Sequence, residues 1–269
     1  MKAAHTSHAE MPFLDHLEEL RQRLLRAGAA FIVGIIVAFV ILSQTDLVAY
    51  LQRPIRPYLH GQTLVYTHPG AVFGILLDIA FVLGALIASP VIGYQLWKFL
   101  VPALYPHERR LALPLIASMV GLFAAGVALA FFVVLPLTLR FLLGLQAGAL
   151  TPMITASEYF GFAVTMSLMF GIVFELPIAI LALTVLGVVT PAMLVQYRRY
   201  AVVLCLVVSA FVTPGADPTS LFALAIPLYI LYEISVLVAT VVYRRRARRA
   251  AASEPTVGVA AGSGLGAPA

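Results

Sequence analysis

Charged residues are scarce in this 269-residue chain: Asp, Glu, Lys and Arg make up 11% of it, and 62% is hydrophobic. Soluble globular domains carry roughly a quarter charged residues, so the composition excludes an ordinary soluble domain. The formal net charge of +5 does not indicate nucleic-acid binding. The basic cluster at residues 244–249 directly follows an apolar segment and lacks the aromatic residues on which bases stack.

Motifs of catalysis and metal binding are also missing. The chain contains no GxxxxGK[ST] phosphate loop, no HExxH zinc pair, no GxSxG elbow and no CxxC pair. Its single cysteine, Cys205, cannot form an internal disulfide. His16 and Glu19 stand three residues apart and could share a metal ion, but an isolated pair is a weak site. We therefore expect no enzyme activity, no cofactor and no metal.

Long apolar segments are what the chain has in abundance. A membrane-spanning helix needs about 20 mainly apolar residues. We predict an all-α integral membrane protein whose six transmembrane helices are kinked by prolines and form a concave cup. The predicted spans are residues 27–43, 70–97, 111–139, 159–186, 200–212 and 221–243. The fifth has about 13 apolar residues, roughly 20 Å of helix, so it must thin the bilayer or lie behind protein.

The positions of the basic residues predict the orientation. Only Arg53, Arg56 and Arg140 fall on one side of the six-span arrangement, and the other arginines and lysines fall on the opposite side. The positive-inside rule then places both termini in the cytoplasm. Residues 1–26 are expected to form a cytoplasmic tail and an amphipathic helix along the membrane interface. Residues 244–269 are expected to form a basic, disordered cytoplasmic tail.

Local signals predict several helix boundaries. Thr155 and Glu158 have the spacing of a capping box. Thr190 and Asp217 each precede a proline, the arrangement of an N-cap residue ahead of a first-turn proline. The segment Leu47–Leu51 indicates a short interfacial helix on the outer side, where it and residues 146–157 would form a cap.

Glu175 is the most informative charged residue, because it lies within the apolar run 160–189. A carboxylate at bilayer depth costs several kcal/mol unless something satisfies it. Pro177 cannot donate to the carbonyl of Val173, so a carboxyl and a freed carbonyl would form a polar notch for a partner helix. The alternative is a protonated Glu175 bonded to a backbone carbonyl. Two interpretations are open for Glu233: it contacts a partner helix, or its side chain extends toward the cytoplasmic interface.

Three further carboxylates lie on the predicted cytoplasmic face: Glu18, Glu19 and Glu108. One interpretation is a solvated surface with neighbouring arginines as partners. The other is an acidic site formed by Glu19 and Glu108. A carboxylate accepts two parallel hydrogen bonds from a guanidinium, so such a site would favour an arginine-bearing ligand over a lysine-bearing one.

Four segments together resemble the TatC family, the multi-spanning subunit of twin-arginine protein translocases. Their order and spacing match the family from about Pro12 to Tyr243. They are PFLDHLEELRQRL, SPVIGYQLWKFLVPALYPHERR, FGIVFELPIAI and TPGADPTSLFALAIPLYILYEI.

The resemblance implies a function and a location. TatC proteins are cup-shaped, six-helix receptors of the prokaryotic inner membrane with both termini in the cytoplasm. They bind the paired arginines of signal peptides on folded cargo, assemble with TatA or TatB, and use the proton-motive force. An export receptor of this kind is the expected function. The alternative is a secondary transporter with Glu175 as the proton-coupling carboxylate, although no inverted repeat is visible.

The resemblance also implies roles for particular residues. Signal-peptide binding is implied for the set Glu19, Arg21, Trp97, Phe99 and Glu108. Contact with partner helices is implied for Glu175, beside Pro177, and Pro54 and Asp217 match positions in outer loops. One departure concerns Leu221, where many family members have a glutamine, and Asp78 is an unexpected acid.

Overall fold

The computed structural model describes residues 11–59, 61–100, 112–144, 153–212 and 218–253, and these residues are almost entirely helical. The α-helices are α1 (Met11–Gln44), α2 (Leu47–Leu51), α3 (Ala71–Leu100), α4 (Ala112–Leu129), α5 (Leu135–Gly144), α6 (Ala156–Phe174), α7 (Leu176–Val185), α8 (Pro191–Gln196), α9 (Arg198–Val212) and α10 (Pro218–Ser253). A 3₁₀ turn covers Arg56–Tyr58, and a π-helical turn, Ala130–Val134, joins α4 to α5.

Helices α1 and α3 form an antiparallel pair. The ring of Phe31 packs edge-on against Phe81, and that of Phe39 against Phe73. Close to the Phe31–Phe81 contact the backbones meet at two glycines: a Cβ on Gly34 would lie 2.5 Å from the carbonyl oxygen of Gly84. No larger residue fits there without a shift of the helices. We call the end of the bundle where α1 begins the tail end, and the end that carries α2 the cap end.

Helix α6 lies at the centre of the bundle. Its side chains Phe160, Met166 and Phe170 are almost fully buried. A second close approach joins it to α4, because a Cβ on Gly126 would lie 2.6 Å from the carbonyl oxygen of Phe170. Small residues at helix crossings are how membrane helices gain packing, since lipid provides no hydrophobic driving force between them.

The cap end is fastened to α6 by hydrogen bonds. The Tyr159 hydroxyl donates to the carbonyl of Leu51 over 2.6 Å, and the Ala156 N–H donates to the carbonyl of Val65 over 2.8 Å. Ile55, between α2 and the 3₁₀ turn, is fully buried. The predicted cap therefore exists in its described part; residues 145–152 lie outside the described residues.

Two of the predicted helix starts are present. Thr155 caps α6 in a complete capping box, in which the Glu158 N–H donates to the Thr155 hydroxyl and the Thr155 N–H donates to the Glu158 carboxylate. Thr190 caps α8 by accepting from the Met193 N–H. Asp217 lies outside the described residues, and α10 begins at Pro218 immediately after it.

Prolines act differently at different places in the bundle. The π-helical turn ends two residues before Pro136, where the missing N–H removes a hydrogen bond of the regular helix. The helix breaks between α6 and α7 at Glu175, two residues before Pro177. Pro90 and Pro227 lie inside the uninterrupted helices α3 and α10.

Two predicted boundaries differ from those observed. The amphipathic segment and the first apolar segment are one continuous helix, α1, because nothing between residues 26 and 27 breaks the backbone hydrogen bonding. The helix α10 continues through the basic cluster to Ser253, since arginine and alanine are good helix formers. Residues 244–253, which were predicted to belong to a disordered tail, are therefore helical, and residues 254–269 lie outside the described residues.

Within the described residues, five helical segments are long and apolar enough to cross a membrane: Leu17–Gln44, Ala71–Phe99, Leu113–Gly144, Ala156–Val185 and Leu221–Arg245. They correspond to five of the six predicted spans. The remaining one is α9, whose 15 residues give about 22 Å of helix. The sixth span and the orientation stay predictions.

Candidate functional site

The first candidate site lies at the tail end, where Glu19 and Arg23 face the same side of α1. The spacing of four residues makes them neighbours on the helix surface, and the Arg23 guanidinium is bonded to the Glu19 carboxylate. Arg23 is 8% exposed. A second N–H of Arg23 donates to the backbone carbonyl of Gln95 on α3, over 3.5 Å. The guanidinium therefore links the Glu19 carboxylate to the neighbouring helix.

Two aromatic residues follow Gln95 closely along α3. Trp97 and Phe99 lie two and four residues beyond Gln95, at the same end of the helix pair. Trp97 is 6% exposed, so its ring packs inside the protein, whereas Phe99 is half-buried. We call Glu19, Arg23, Gln95, Trp97 and Phe99 the tail-end site.

Two atoms of the tail-end site are buried without a hydrogen bond to any described residue: Nε of Arg23 and Oε1 of Gln95. Buried polar atoms are normally paired with protein or water. The Arg23 Nε and the Gln95 Oε1 therefore make the inner side of the tail-end site more polar than its apolar surroundings.

Arg21 and Glu18 point elsewhere. They form an exposed ion pair over 3.4 Å, and Gln22 also donates to Glu18. Exposed pairs of this kind contribute little to stability. Glu108 lies outside the described residues, so its position relative to Glu19 stays a prediction.

The second candidate site surrounds Glu175. Its N–H donates to the carbonyl of Ile172, and its own carbonyl accepts from Ile178 and Ala179, so the residue ends α6 and begins α7. Its Oε2 is buried and has no hydrogen-bond partner among the described residues. The side chain borders a cavity of about 360 Å³ whose other lining side chains, Ser89 apart, are apolar. We call this the Glu175 cavity.

Glu233 differs from Glu175 because it has partners within the chain. Its carboxylate accepts from the Arg198 guanidinium over 2.8 Å and from the Tyr229 hydroxyl over 2.9 Å. Nearby, the Tyr232 hydroxyl donates to the carbonyl of Leu194 over 2.6 Å. These bonds fasten α10 to α8 and α9, and the Arg198 pair gives Glu233 a role that the sequence did not suggest.

Comparison with known proteins settles the family. The family model described as Sec-independent protein translocase protein (TatC) matches residues 15–227. A protein of that name from Aquifex aeolicus is 39% identical over 88% of this chain and 98% of its own length. Another from Deinococcus radiodurans is 38% identical over 90% of each chain. The chain belongs to the TatC family.

Solved structures agree with this assignment. A crystal structure described as the twin-arginine translocase receptor TatC in DDM superposes with a TM-score of 0.74. It is 39% identical, and the match covers 83% of this chain and 99% of that chain. The predicted resemblance is therefore confirmed, and this TatC-family chain is a multi-pass membrane protein of protein translocation.

The remaining predicted residues are separate from both sites. Pro54 is half-buried between α2 and the 3₁₀ turn, Asp78 is exposed on α3, and Leu221 is half-buried in the first turns of α10. In the part of the chain that the structure describes, no three His, Cys, Asp or Glu side chains lie close enough to hold a metal ion.

Arg23 and Gln95 are the residues that the sequence interpretation missed. The four-residue spacing from Glu19 was a usable signal for Arg23. Gln95 carried none, because its contact crosses between helices 72 residues apart in sequence. Its place could be found only from the helix packing.

Proposed function

We propose that this TatC-family chain is the receptor subunit that binds twin-arginine signal peptides of folded cargo. Glu19 and Glu108 would bind the paired arginines at the cytoplasmic face, with Trp97 and Phe99 nearby on α3 and Arg21 on the exposed surface of α1. The observation that carries the proposal is the Glu19–Arg23 pair. In it, the Glu19 carboxylate is already held in an orientation that binds a guanidinium. Two of the similar solved structures are described as twin-arginine translocase receptors.

The chemistry explains a preference for arginine. A guanidinium presents parallel N–H groups that match the two oxygens of a carboxylate, and it also stacks on aromatic rings. A lysine ammonium is a point charge and makes one such bond at a time. The half-buried Phe99 is the ring of this site that a bound peptide can reach.

The Glu175 cavity would receive a partner subunit. Its unpartnered carboxyl oxygen in an apolar wall favours a helix that brings one amide, hydroxyl or acid. Such bonds between membrane helices are worth on the order of 1 kcal/mol, which suits reversible assembly with single-span TatA- or TatB-type proteins. The resemblance further implies that the proton-motive force drives transport.

The proposed arrangement in the membrane has six spans with both termini in the cytoplasm. Helix α9 would be the short fifth span, and Arg198 at its start would lie at the same face as the basic end of α10. The family assignment favours this receptor over a secondary transporter that uses Glu175 as a coupling carboxylate.

A binding experiment tests the proposal. The purified protein in nanodiscs is titrated with a fluorescent signal peptide that carries either two arginines or two lysines. Glu19→Gln should weaken binding of the arginine peptide about tenfold or more, because a hydrogen bond to a charged group contributes about 1.5–3 kcal/mol. It should affect the lysine peptide less.

Glu18→Gln is the matched control, since Glu18 is the adjacent residue and pairs with Arg21 at the surface. Binding to this variant should equal that of the unmodified protein. Equal affinity for both peptides, or equal loss in both variants, would contradict an arginine-selective site at Glu19.

A further inference from the structure

A second cavity, near the cap end, has no role in the proposed function. It has a volume of about 280 Å³ and lies between α3, α4 and α6, with α2 across its cap end. Its lining is apolar apart from Tyr50 and Ser167, and includes Leu83, Ala128 and Phe131. We call it the cap-end cavity.

Two guanidinium groups lie close to Tyr50, one of the residues that line this cavity. The Arg53 guanidinium lies 4.4 Å from the centre of the Tyr50 ring, and Tyr50 itself stacks on Phe131. Arg56 donates to the carbonyl of Ala49, the residue next to Tyr50. Both arginines are exposed.

Neither arginine is neutralised by the surrounding described residues. No described carboxylate lies within salt-bridge distance of Arg53 or Arg56. Asp46 lies at the opposite end of α2, and the Glu158 carboxylate is bonded to the Thr155 N–H. The Tyr50 side of the cavity is therefore positive, and the cavity lining is mainly apolar.

We propose that the cap-end cavity binds one anionic phospholipid, with an acyl chain inside it and the phosphate on Arg53 and Arg56. An apolar cavity of about 150 Å³ accepts a benzene molecule; on that scale the cap-end cavity holds about a dozen carbon atoms. The cavity thus has room for a single hydrocarbon chain.

The headgroup preference follows from charge. A guanidinium binds a phosphate through parallel hydrogen bonds. In a zwitterionic lipid the amine of the headgroup competes for the same phosphate, whereas phosphatidylglycerol leaves the phosphate to the arginines. The site should therefore select phosphatidylglycerol over phosphatidylethanolamine.

Native mass spectrometry of the detergent-solubilised protein tests this selection. The protein is mixed with equal amounts of phosphatidylglycerol and phosphatidylethanolamine, and bound lipid is counted. One phosphatidylglycerol should stay bound per chain. Arg53→Gln should lower its preference over phosphatidylethanolamine about tenfold, and Ala128→Phe, which fills the cavity, should reduce retention of both lipids.

Arg140→Gln is the matched control, because Arg140 is exposed on α5 toward the cap end and does not border the cavity. It should behave as the unmodified protein does. An unmodified protein without the preference, an unchanged Arg53→Gln variant, or an equal loss in Arg140→Gln would overturn the proposal.

Crosslinking of the unmodified protein needs no variant. Phosphatidylglycerol with a photoreactive group at the end of its acyl chain should attach to residues of α4 and α6 that line the cap-end cavity. Attachment only to the lipid-facing side of α1 would refute the assignment. Loss of attachment to the cap-end cavity when an apolar peptide is added would refute it as well.

Discussion

Arg23 connects two helices through one side chain. Its guanidinium reaches the Glu19 carboxylate and the Gln95 carbonyl together, which fixes the carboxylate relative to α3. A planar fork with several N–H groups can hold two acceptors at once, and an ammonium on a flexible stem holds them less well. We therefore assign Arg23 as a positioning residue for Glu19.

The substitution Arg23→Lys should weaken binding of a twin-arginine peptide about fivefold, since one hydrogen bond contributes about 1 kcal/mol. Fluorescence titration in nanodiscs measures the affinity. Arg26→Lys, one turn further along α1 and exposed, should leave it unchanged. Equal effects of the two substitutions would show that only the overall charge of the helix matters.

Glu175 and Glu233 are both half-buried, but their surroundings differ. Glu233 has two partners within the chain, whereas the buried oxygen of Glu175 has none among the described residues. An unpaired buried polar group costs free energy, and replacing it with an apolar side chain often stabilises a protein.

The substitution Glu175→Leu should leave the thermal unfolding temperature unchanged or raise it. Glu233→Leu should lower the stability by about 1–2 kcal/mol, because it removes a partly exposed ion pair and a hydroxyl bond. Unfolding in detergent followed by circular dichroism measures both. Co-purification of a TatA- or TatB-type partner should fall only for Glu175→Leu. A clear loss of stability in that variant would mean that the carboxyl is satisfied within the fold.

Helix packing depends on a few glycines at crossings. A Cβ on Gly84 would lie 2.7 Å from the backbone nitrogen of Ile35, whereas a Cβ on Gly74, in the same helix, would meet nothing within 4 Å. Backbone atoms cannot move aside as a flexible side chain can. Substitution by alanine should therefore affect stability differently at Gly84 and at Gly74.

We expect Gly84→Ala to destabilise the protein by about 1–3 kcal/mol through overpacking. Gly74→Ala should be neutral or stabilising, because alanine is favoured over glycine in helices by up to about 1 kcal/mol. Thermal unfolding of both variants in one detergent provides the comparison. Equal stability of the two would mean that α1 and α3 separate easily.

Local sequence signals predicted the helix features that depend on residues close together in the sequence. The caps at Thr155 and Thr190 are examples. Near Pro177 a kink was predicted within one span, and the structure has two helices that meet at Glu175. The continuity of α1 was missed, because a change from amphipathic to apolar composition alters the helix surface but not its backbone hydrogen bonds. The Arg23–Gln95 contact was missed because it depends on how α1 and α3 pack.

At the scale of the whole molecule, the bundle has two unlike ends. The tail end carries the Glu19–Arg23 pair and the basic end of α10, and the cap end carries α2 and the 3₁₀ turn. Family membership and five of the six spans were predictable, because both depend on residue order. The two cavities were not, because each is formed by three or more helices.

The proposed orientation can be tested by labelling single cysteines in a Cys205→Ala background. Gln62→Cys, at the cap end, should react with a membrane-impermeant maleimide in cells whose outer membrane is permeabilised and whose inner membrane is intact. Arg244→Cys at the tail end should react only after the membrane is disrupted. The opposite pattern would reverse the assigned orientation.

The contact between Gly34 and Gly84 has a mechanical consequence. With two backbones touching at Gly34 and Gly84, α1 and α3 cannot slide along one another without first moving apart. We expect the two helices to move as one unit in any rearrangement of the bundle. A displacement at the end that holds Glu19 would therefore carry α3 along with α1.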